Sequence, residues 1–170
     1  MLERKIMRLA KNIRFVVFDF DGVFTDNRVY INEKGEELVS CNRSDGLGLT
    51  RLKELGLELL VLSAETNPVV RRRANKLKIP CIYGCEDKLL VLSRVAKRKD
   101  ISFKQIAYVG NDINDVGCLK VVGFPVVVAD AHKDVVGCAI YKTRLAGGRG
   151  AVREFCDLLF SAQTGRKAHV

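Results

Sequence analysis

Two aspartates separated by one residue are the side chains of this 170-residue chain whose type and spacing are best suited to chemistry. Asp19 and Asp21 come directly after the apolar run at residues 15–18, and Gly22 follows them. Carboxylates this close repel each other unless a cation or a shared proton lies between them. A hard cation that prefers oxygen ligands, such as Mg²⁺, fits the pair. The spacing is equally typical of an Asp-Gly turn with solvated acids, so residues elsewhere must decide.

Further polar residues follow later apolar runs in the same way. Ser63 ends the run at residues 57–62, Lys88 opens a predicted helix, and an acidic loop at residues 110–115 follows the run at 106–109. Because the carboxyl ends of parallel strands meet at one edge of a sheet, we expect these groups to converge on the aspartate pair. Singly, the serine also fits a helix cap and the lysine a solvated surface.

Strand and helix patterns alternate along the chain. Continuous apolar runs of strand length are typical of a parallel sheet that is covered on both faces. Between them lie helical patterns, including an apolar stripe at residues 47, 49, 52 and 55 and a segment at 69–77 that follows Pro68. The sequence therefore predicts a doubly wound, mostly parallel, Rossmann-like α/β sheet.

One insertion interrupts this alternation. Short strand patterns at residues 29–31 and 37–40 flank a turn that contains Gly35. They predict a β-hairpin flap over the carboxyl end of the first strand, with no large cap domain. We expect one domain at residues 13–160, a basic amphipathic segment at 1–12 and a flexible tail at 161–170.

Composition limits the partners. The net charge of +9 favours an anionic partner, although a solvated basic surface would give the same value. The chain carries no RNA-binding aromatic motif or zinc-finger pattern, so we expect no nucleic acid. No apolar run approaches the roughly 20 residues of a membrane span, and we expect a cytoplasmic protein. The six scattered cysteines predict reduced thiols.

The candidate residues occur in the order of a known set of motifs. The set is Asp19-x-Asp21-Gly-x-x-Thr25, then Ser63, then Lys88, then the loop at residues 110–115. It resembles the haloacid dehalogenase superfamily of phosphatases. The resemblance implies that Asp19 attacks phosphorus to form an aspartyl phosphate. It also implies that Asp21 protonates the leaving alkoxide and then deprotonates the hydrolytic water.

The same resemblance implies the contacts to phosphate and metal. Ser63 and Lys88 would hold the phosphoryl oxygens. The implied cofactor is Mg²⁺, with Asp115 behind the metal ligands, which would be Asp19, Asp21, Asn111 and Asp112. In the family the position of Asn111 is an aspartate. An amide oxygen can bind Mg²⁺ but lacks the charge, so we expect weaker metal binding here.

A narrower resemblance covers most of the chain. Ser44-Asp45 and the motif Gly147-Gly148-x-Gly150 resemble small phosphatases that act on 8- or 9-phosphorylated ulosonic acids. A homotetramer is implied, because neighbouring subunits in that group complete the active site.

Three residues are similar to substrate contacts of the branch that acts on nine-carbon acids: Glu65, Arg73 and Lys76. The predicted substrate is therefore a phosphorylated sugar acid, N-acylneuraminate or deaminoneuraminate 9-phosphate. The alternative is 3-deoxy-manno-octulosonate 8-phosphate.

Two other classes remain open. The chain also resembles the phosphatase-like domain of CMP-sialic acid synthetases, so fusion to or association with a cytidylyltransferase domain, as a non-catalytic oligomerisation unit, is one alternative. A phospho-receiver module, which also combines an acidic Mg²⁺ site with a lysine, is the other. The hairpin and the Asp19-x-Asp21 pair argue against the receiver.

Overall fold

The computed structural model describes residues 2–166 of the chain. The centre of the fold is a parallel sheet of six strands. The eight strands in this part are β1 (Phe15–Phe18), β2 (Thr25–Ile31), β3 (Glu37–Cys41), β4 (Glu58–Leu62), β5 (Cys81–Ile82), β6 (Ile106–Gly110), β7 (Phe124–Val127) and β8 (Tyr141–Lys142). The sheet has the order β5-β4-β1-β6-β7-β8, and every neighbouring pair is parallel. The order reverses at β1, which is the switch point where ligands bind in such sheets.

Seven α-helices of residues 2–166 cover the sheet on both faces. They are α1 (Leu2–Lys11), α2 (Ser44–Glu54), α3 (Val69–Leu77), α4 (Lys88–Lys99), α5 (Val116–Val121), α6 (Lys133–Val136) and α7 (Ala151–Thr164). One apolar core contains residues of α1, α2, α3 and α7, and the other contains residues of α4, α5 and α6. The predicted doubly wound α/β fold is therefore confirmed.

Strand β1 joins the two cores. Val16 and Phe18 belong to the core under α7, whereas Phe15 and Val17 belong to the core under α4. Each of the four side chains is completely buried. This double burial explains the continuous apolar run, and it makes β1 a rigid support for the residues that follow it.

Strands β2 and β3 form the predicted hairpin. They are antiparallel, with Ile31 opposite Glu37. In the turn, Asn32 Oδ1 accepts hydrogen bonds from the N–H groups of Lys34 and Glu36. Within residues 2–166 this hairpin is the insertion that follows β1, and the predicted absence of a large cap domain agrees with it.

Helices α1 and α7, at the two ends of the described residues, pack against each other. The Gln163 side chain donates hydrogen bonds to the carbonyl oxygens of Ala10 and Ile13, at 3.2 and 2.8 Å. Helix α7 continues to Thr164, so the first four residues of the predicted tail are helical instead, because they pack on the N-terminal segment. Residues 167–170 lie outside the described residues.

The described helices are all too short or too polar to cross a membrane.

Candidate active site

Three neighbouring strands bring the predicted residues to one cavity. Asp19 follows β1, Ser63 follows β4 and Asn111 follows β6, and these strands are adjacent in the sheet. All three side chains line a cavity of ≈ 110 Å³, together with Asp21 and Asp112. Typical ligand pockets have volumes of roughly 300–1,000 Å³. This cavity therefore has room for a phosphoryl group and a cation, but not for a whole sugar acid.

The Lys88 ammonium bridges two carboxylates. Its Nζ lies 2.8 Å from Asp19 Oδ1 and 2.8 Å from Asp115 Oδ1. Tyr108 donates a second hydrogen bond to Asp115 Oδ1, at 2.7 Å. Lys88 enters the site because Asp87 caps the N-terminus of α4 by accepting from Leu90 N. Lys88 is therefore a buried cation of the site and not a surface lysine.

Burial dominates the electrostatics of Asp19. Desolvation, followed by the charge of Asp115, raises the pKa of Asp19 to about 7 despite the opposing effect of Lys88. Burial alone would lower the pKa of the Lys88 ammonium, but the two carboxylates outweigh it and the pKa is raised. Lys88 therefore stays charged. Further positive charge beside Asp19 would favour the ionised form of the Asp19 carboxyl group.

Asp21 lies at the mouth of the cavity and is half-buried. Desolvation, followed by the charge of Glu65, raises its pKa to about 6. The chain turns directly after it, because Gly22 has a φ of +73° and its N–H donates to Thr25 Oγ1 at 3.0 Å. A carboxyl group whose pKa is near neutral can both give and take a proton.

The Asn111 side chain lies against both aspartates. One heavy atom of its amide is 3.0 Å from the Asp21 carbonyl oxygen and 3.2 Å from Asp19 Oδ2. With the amide oxygen in this position, three oxygens face one another. Oxygens that bind Mg²⁺ at 2.0–2.1 Å in an octahedron are about 2.9 Å apart at its edges, so this donor set fits the cation.

The neighbouring loop residues support Asn111 and do not replace it. Asp115 Oδ2 accepts from Asn111 N at 2.8 Å and from Asp112 N at 3.3 Å, and Asp112 Oδ1 accepts from Ile113 N. Asp112 lines the cavity, but the contacts to Asp19 and Asp21 come from Asn111. In residues 2–166 no three His, Cys, Asp or Glu side chains are grouped to hold a metal ion. Of the three oxygens in this donor set, one belongs to the Asp19 carboxylate, one is the Asp21 carbonyl and one belongs to a neutral amide.

Ser63 is fixed at the end of β4. Its N–H donates to Ile82 O at 2.9 Å, and its Oγ accepts from Glu65 N at 3.1 Å. The side chain is buried at the wall of the cavity. Because the recorded bond uses Oγ as an acceptor, the hydroxyl hydrogen can be donated to a ligand.

The three predicted sugar contacts lie on different parts of the chain, one after β4 and two on α3. Glu65 lines the cavity, but its Oε1 accepts from the N–H groups of Thr66 and Asn67 at 2.6 and 2.7 Å. Arg73 Nη2 donates to Asn42 O at 2.8 Å, at the joint between the hairpin and α2. Lys76 is exposed in the last turn of α3.

Sequence reasoning missed the structural roles of two buried residues that support the site. Tyr108 stands inside an apolar run and gives no sign that its hydroxyl binds Asp115. Asp45 Oδ1 accepts from Arg153 N at 3.2 Å, at the start of α7. Its residue type before a helical pattern indicates a cap, but of its own helix, whereas the helix that it caps lies far along the chain.

Comparison with known proteins identifies the class. A family model described as haloacid dehalogenase-like hydrolase matches residues 82–152. The 3-deoxy-D-manno-octulosonate 8-phosphate phosphatase of Escherichia coli is 40% identical over 159 residues, which are 93% of this chain and 85% of that protein. The chain belongs to the haloacid dehalogenase-like hydrolases, and the predicted class of phosphomonoesterase is confirmed.

Solved structures agree with this assignment. A 3-deoxy-D-manno-octulosonate 8-phosphate phosphatase from Moraxella catarrhalis, in complex with magnesium, phosphate and the sugar acid, has a TM-score of 0.92 at 34% identity and covers 95% of this chain and 94% of its own. A chain from Streptomyces avermitilis assigned to the HAD family of hydrolases is 48% identical, with a TM-score of 0.85, and covers 88% of this chain and 91% of its own.

Proposed function

We propose that the protein hydrolyses 3-deoxy-D-manno-octulosonate 8-phosphate to the free sugar acid and phosphate. The observation that carries the proposal is the buried Asp19 carboxylate, paired with Lys88 beside Asp21 in a cavity of phosphoryl size. The eight-carbon substrate is supported by relatives that carry this activity in their names. The nine-carbon acid, our main expectation from the sequence, has no such support. Its basis was the resemblance of Glu65, Arg73 and Lys76 to substrate contacts, which stays a prediction.

In this proposal Asp19 and Asp21 carry the bond changes. Asp19 attacks phosphorus, the ester P–O bond breaks, and Asp21 gives its proton to the leaving alkoxide. Asp21 then takes a proton from water, which attacks the aspartyl phosphate, releases phosphate and restores Asp19. A pKa of about 6 for Asp21 suits both steps near neutral pH.

Ser63 and Lys88 bind the phosphoryl oxygens. Lys88 neutralises the charge of Asp19 and Asp115 when the cavity is empty, so its ammonium is held at the place where a phosphate dianion would enter. In this proposal the Ser63 hydroxyl donates a further hydrogen bond to the phosphoryl group from the cavity wall. Both groups are rigid, because each is buried and fixed by the hydrogen bonds described above.

We assign the metal to oxygens of Asp19, Asp21 and Asn111, with Asp112 at the edge of the cavity and Asp115 behind the loop. When bound, Mg²⁺ offsets the negative charge between the Asp19 carboxylate and the phosphoryl group.

The sugar lies outside the small cavity, under the hairpin. Glu65 lines the cavity and Arg73 donates to Asn42 O at the end of the hairpin, so these two residues, with the exposed Lys76, are our candidates for contacts to the sugar. The hairpin presents exposed apolar side chains, of which Ile31 and Leu38 are 68% and 64% exposed. Such a surface supports a homotetramer in which neighbouring subunits cover the sugar.

A panel of sugar acid phosphates tests the proposal. Phosphate release from eight- and nine-carbon acids is measured with and without Mg²⁺, with the Asp19→Asn variant as control. We expect Mg²⁺-dependent release with the highest kcat/KM for the eight-carbon acid. A higher kcat/KM for a nine-carbon acid would refute the substrate, and release by the Asp19→Asn variant at the wild-type rate would refute the mechanism.

Asn111 favours a second candidate, a non-catalytic assembly domain associated with a cytidylyltransferase, because a neutral residue weakens the metal site. Absence of phosphate release from every acid in the panel, together with a stable oligomer, would support it.

A further inference from the structure

The Asn111 amide has two chemically different orientations at the same place. Its inner heavy atom contacts Asp21 O and Asp19 Oδ2, both of which are acceptors, whereas its outer heavy atom faces only donors. With nitrogen inside, the amide donates two hydrogen bonds at 3.0 and 3.2 Å, and the outer oxygen faces the donors. This orientation satisfies both ends of the amide.

The opposite orientation needs a cation. With oxygen inside, the amide oxygen lies about one octahedral edge from Asp21 O and from Asp19 Oδ2, and the amide N–H₂ group faces donors. Within residues 2–166 the amide oxygen in this orientation faces only acceptors, so a cation placed between these oxygens makes the orientation favourable.

The backbone keeps the position of Asn111 unchanged in both cases. Its N–H donates to Asp115 Oδ2 at 2.8 Å, and its carbonyl oxygen accepts from His132 N at 2.8 Å. Gly22 supplies space for the amide, because a Cβ there would lie 2.0 Å from its outer atom. The half-turn of the amide is therefore a side-chain motion in a site that is otherwise fixed.

We propose that Asn111 is a two-position metal ligand, whose amide nitrogen replaces the cation in the metal-free protein and whose amide oxygen binds the cation after a half-turn. The inference rests on the metal site of the proposed function. In the metal-free protein the hydrogen bonds of the amide are then already satisfied. The metal must displace these hydrogen bonds, so it binds more weakly. An aspartate at position 111 cannot replace the cation in the metal-free protein, because an ionised carboxylate has no hydrogen to donate.

The Asn111→Asp variant tests the inference. Mg²⁺ affinity is measured by calorimetry, and thermal unfolding is followed in EDTA and in saturating Mg²⁺. We expect the variant to bind Mg²⁺ at least about tenfold more tightly, since affinity rises with the charge of the ligands. In EDTA it should unfold at a lower temperature than the wild type, and the gain on adding Mg²⁺ should be larger. The control is Asn114→Asp, which adds the same charge at an exposed residue that also lines the cavity, so it separates the effect of added charge from that of the Asn111 position.

Three outcomes would overturn the inference. One is equal Mg²⁺ affinity of wild type and Asn111→Asp. Another is equal effects of Asn111→Asp and Asn114→Asp, which would assign the change to charge alone. The third is absence of Mg²⁺ binding in the wild type and in Asn111→Asp, which would also remove the metal from the proposed function. Phosphate release in the substrate panel is a separate readout and tests the function independently.

NMR of the wild type provides a measurement that does not depend on the folding of a variant. The side-chain amide signal of Asn111 should exchange slowly with water in EDTA, because both of its hydrogens are bonded, and should shift when Mg²⁺ is added. Fast exchange of this signal in EDTA would contradict the metal-free orientation.

Discussion

At the scale of single residues, the Lys88 ammonium lies 2.8 Å from Oδ1 of Asp19 and of Asp115 and is almost completely buried. Without it, two carboxyl groups would remain in the core without a counter-charge. Its effects on stability and on catalysis therefore have the same origin.

Replacement of Lys88 by methionine keeps most of the side-chain volume and removes the charge. We expect a loss of about 3–5 kcal/mol in the free energy of unfolding, the usual cost of breaking a buried ion pair, together with loss of phosphatase activity. Urea unfolding measures the stability. Lys97→Met is the control, because it changes an exposed lysine of the same helix and should alter stability by less than about 0.5 kcal/mol. Equal unfolding midpoints would contradict the account.

The predictability of the site differs from residue to residue. The convergence of Asp19, Ser63 and Asn111 could be predicted, because parallel strands deliver their carboxyl ends to one edge. The sequence does not reveal that Arg73 is engaged by Asn42 O, or that Tyr108 supports Asp115. Those contacts depend on how separate elements pack, and the local pattern of residue types does not contain that information.

At the scale of elements, the loop after β8 packs against the turn that follows the aspartates. Gly148 N donates to Val23 O at 3.1 Å. Gly148 has a φ of +65°, and a Cβ on it would lie 2.4 Å from Asp26 N. Gly148 therefore lets the loop after β8 approach the turn closely enough for this hydrogen bond. The contact holds the turn that follows Asp21.

The Gly148→Ala variant should displace this turn. We expect kcat to fall by about 100-fold, since small misplacements near reacting groups have effects of that size. Gly165→Ala is a matched control, because Gly165 has a φ of +70° and a Cβ there meets no atom within 4 Å. Gly165→Ala should lose about 1–2 kcal/mol of stability from the positive φ, and Gly148→Ala should lose more, because its Cβ would also clash with the backbone. Steady-state kinetics decide, and an equal kcat for the two variants would contradict the positioning role.

Asp45 lies on α2 and accepts a hydrogen bond from α7. Because its pKa is shifted in the folded protein, we expect the stability to depend on pH. Burial raises its pKa to about 7 in the folded protein, whereas the ordinary value is 3.8. Because the folded state favours the protonated acid, this stabilisation is complete below about pH 4 and is lost as the pH rises to about 7.

The Asp45→Asn variant keeps the acceptor for Arg153 N and removes the titration. Its free energy of unfolding, relative to that of the wild type, should increase by up to about 4 kcal/mol between pH values of about 4 and 7. Urea unfolding of both proteins across this range measures the difference. A difference that does not change with pH would refute the assignment.

Element boundaries were predictable where the local signal is strong. The bounds of β1 and α3 agree with the apolar run and with the helical pattern after Pro68. The stripe on α2 was predicted less well, since Leu49 and Leu52 are buried whereas Leu47 is 64% exposed. The reason is tertiary: Gly48 meets α7, where a Cβ would lie 2.8 Å from Cys156 Cβ, and this close approach decides which face is buried.

At the scale of the whole molecule, the hairpin carries four exposed large apolar side chains, at positions 29, 30, 31 and 38. Tyr30 and Leu38 are opposite each other in the register, and both are more than half exposed. The site cavity beside the hairpin is too small for the sugar. The proposed homotetramer would account for both features.

The Leu38→Glu variant tests this assembly. We expect the wild type to be a tetramer by size-exclusion chromatography with light scattering, and the variant to dissociate, because a charge is costly in an apolar interface. Leu90→Glu is the control, since Leu90 is exposed on α4, outside the hairpin. A monomeric wild type, or a tetrameric Leu38→Glu variant, would contradict the proposal.

The central claim is that Asp19 is the group that accepts the phosphoryl. Borohydride reduces an aspartyl phosphate to homoserine, and peptide mass spectrometry identifies the position. During turnover of 3-deoxy-D-manno-octulosonate 8-phosphate with Mg²⁺, the account predicts homoserine at position 19 and none in the Asp19→Asn variant. Turnover with an unmodified position 19, or with homoserine at position 21, would contradict it.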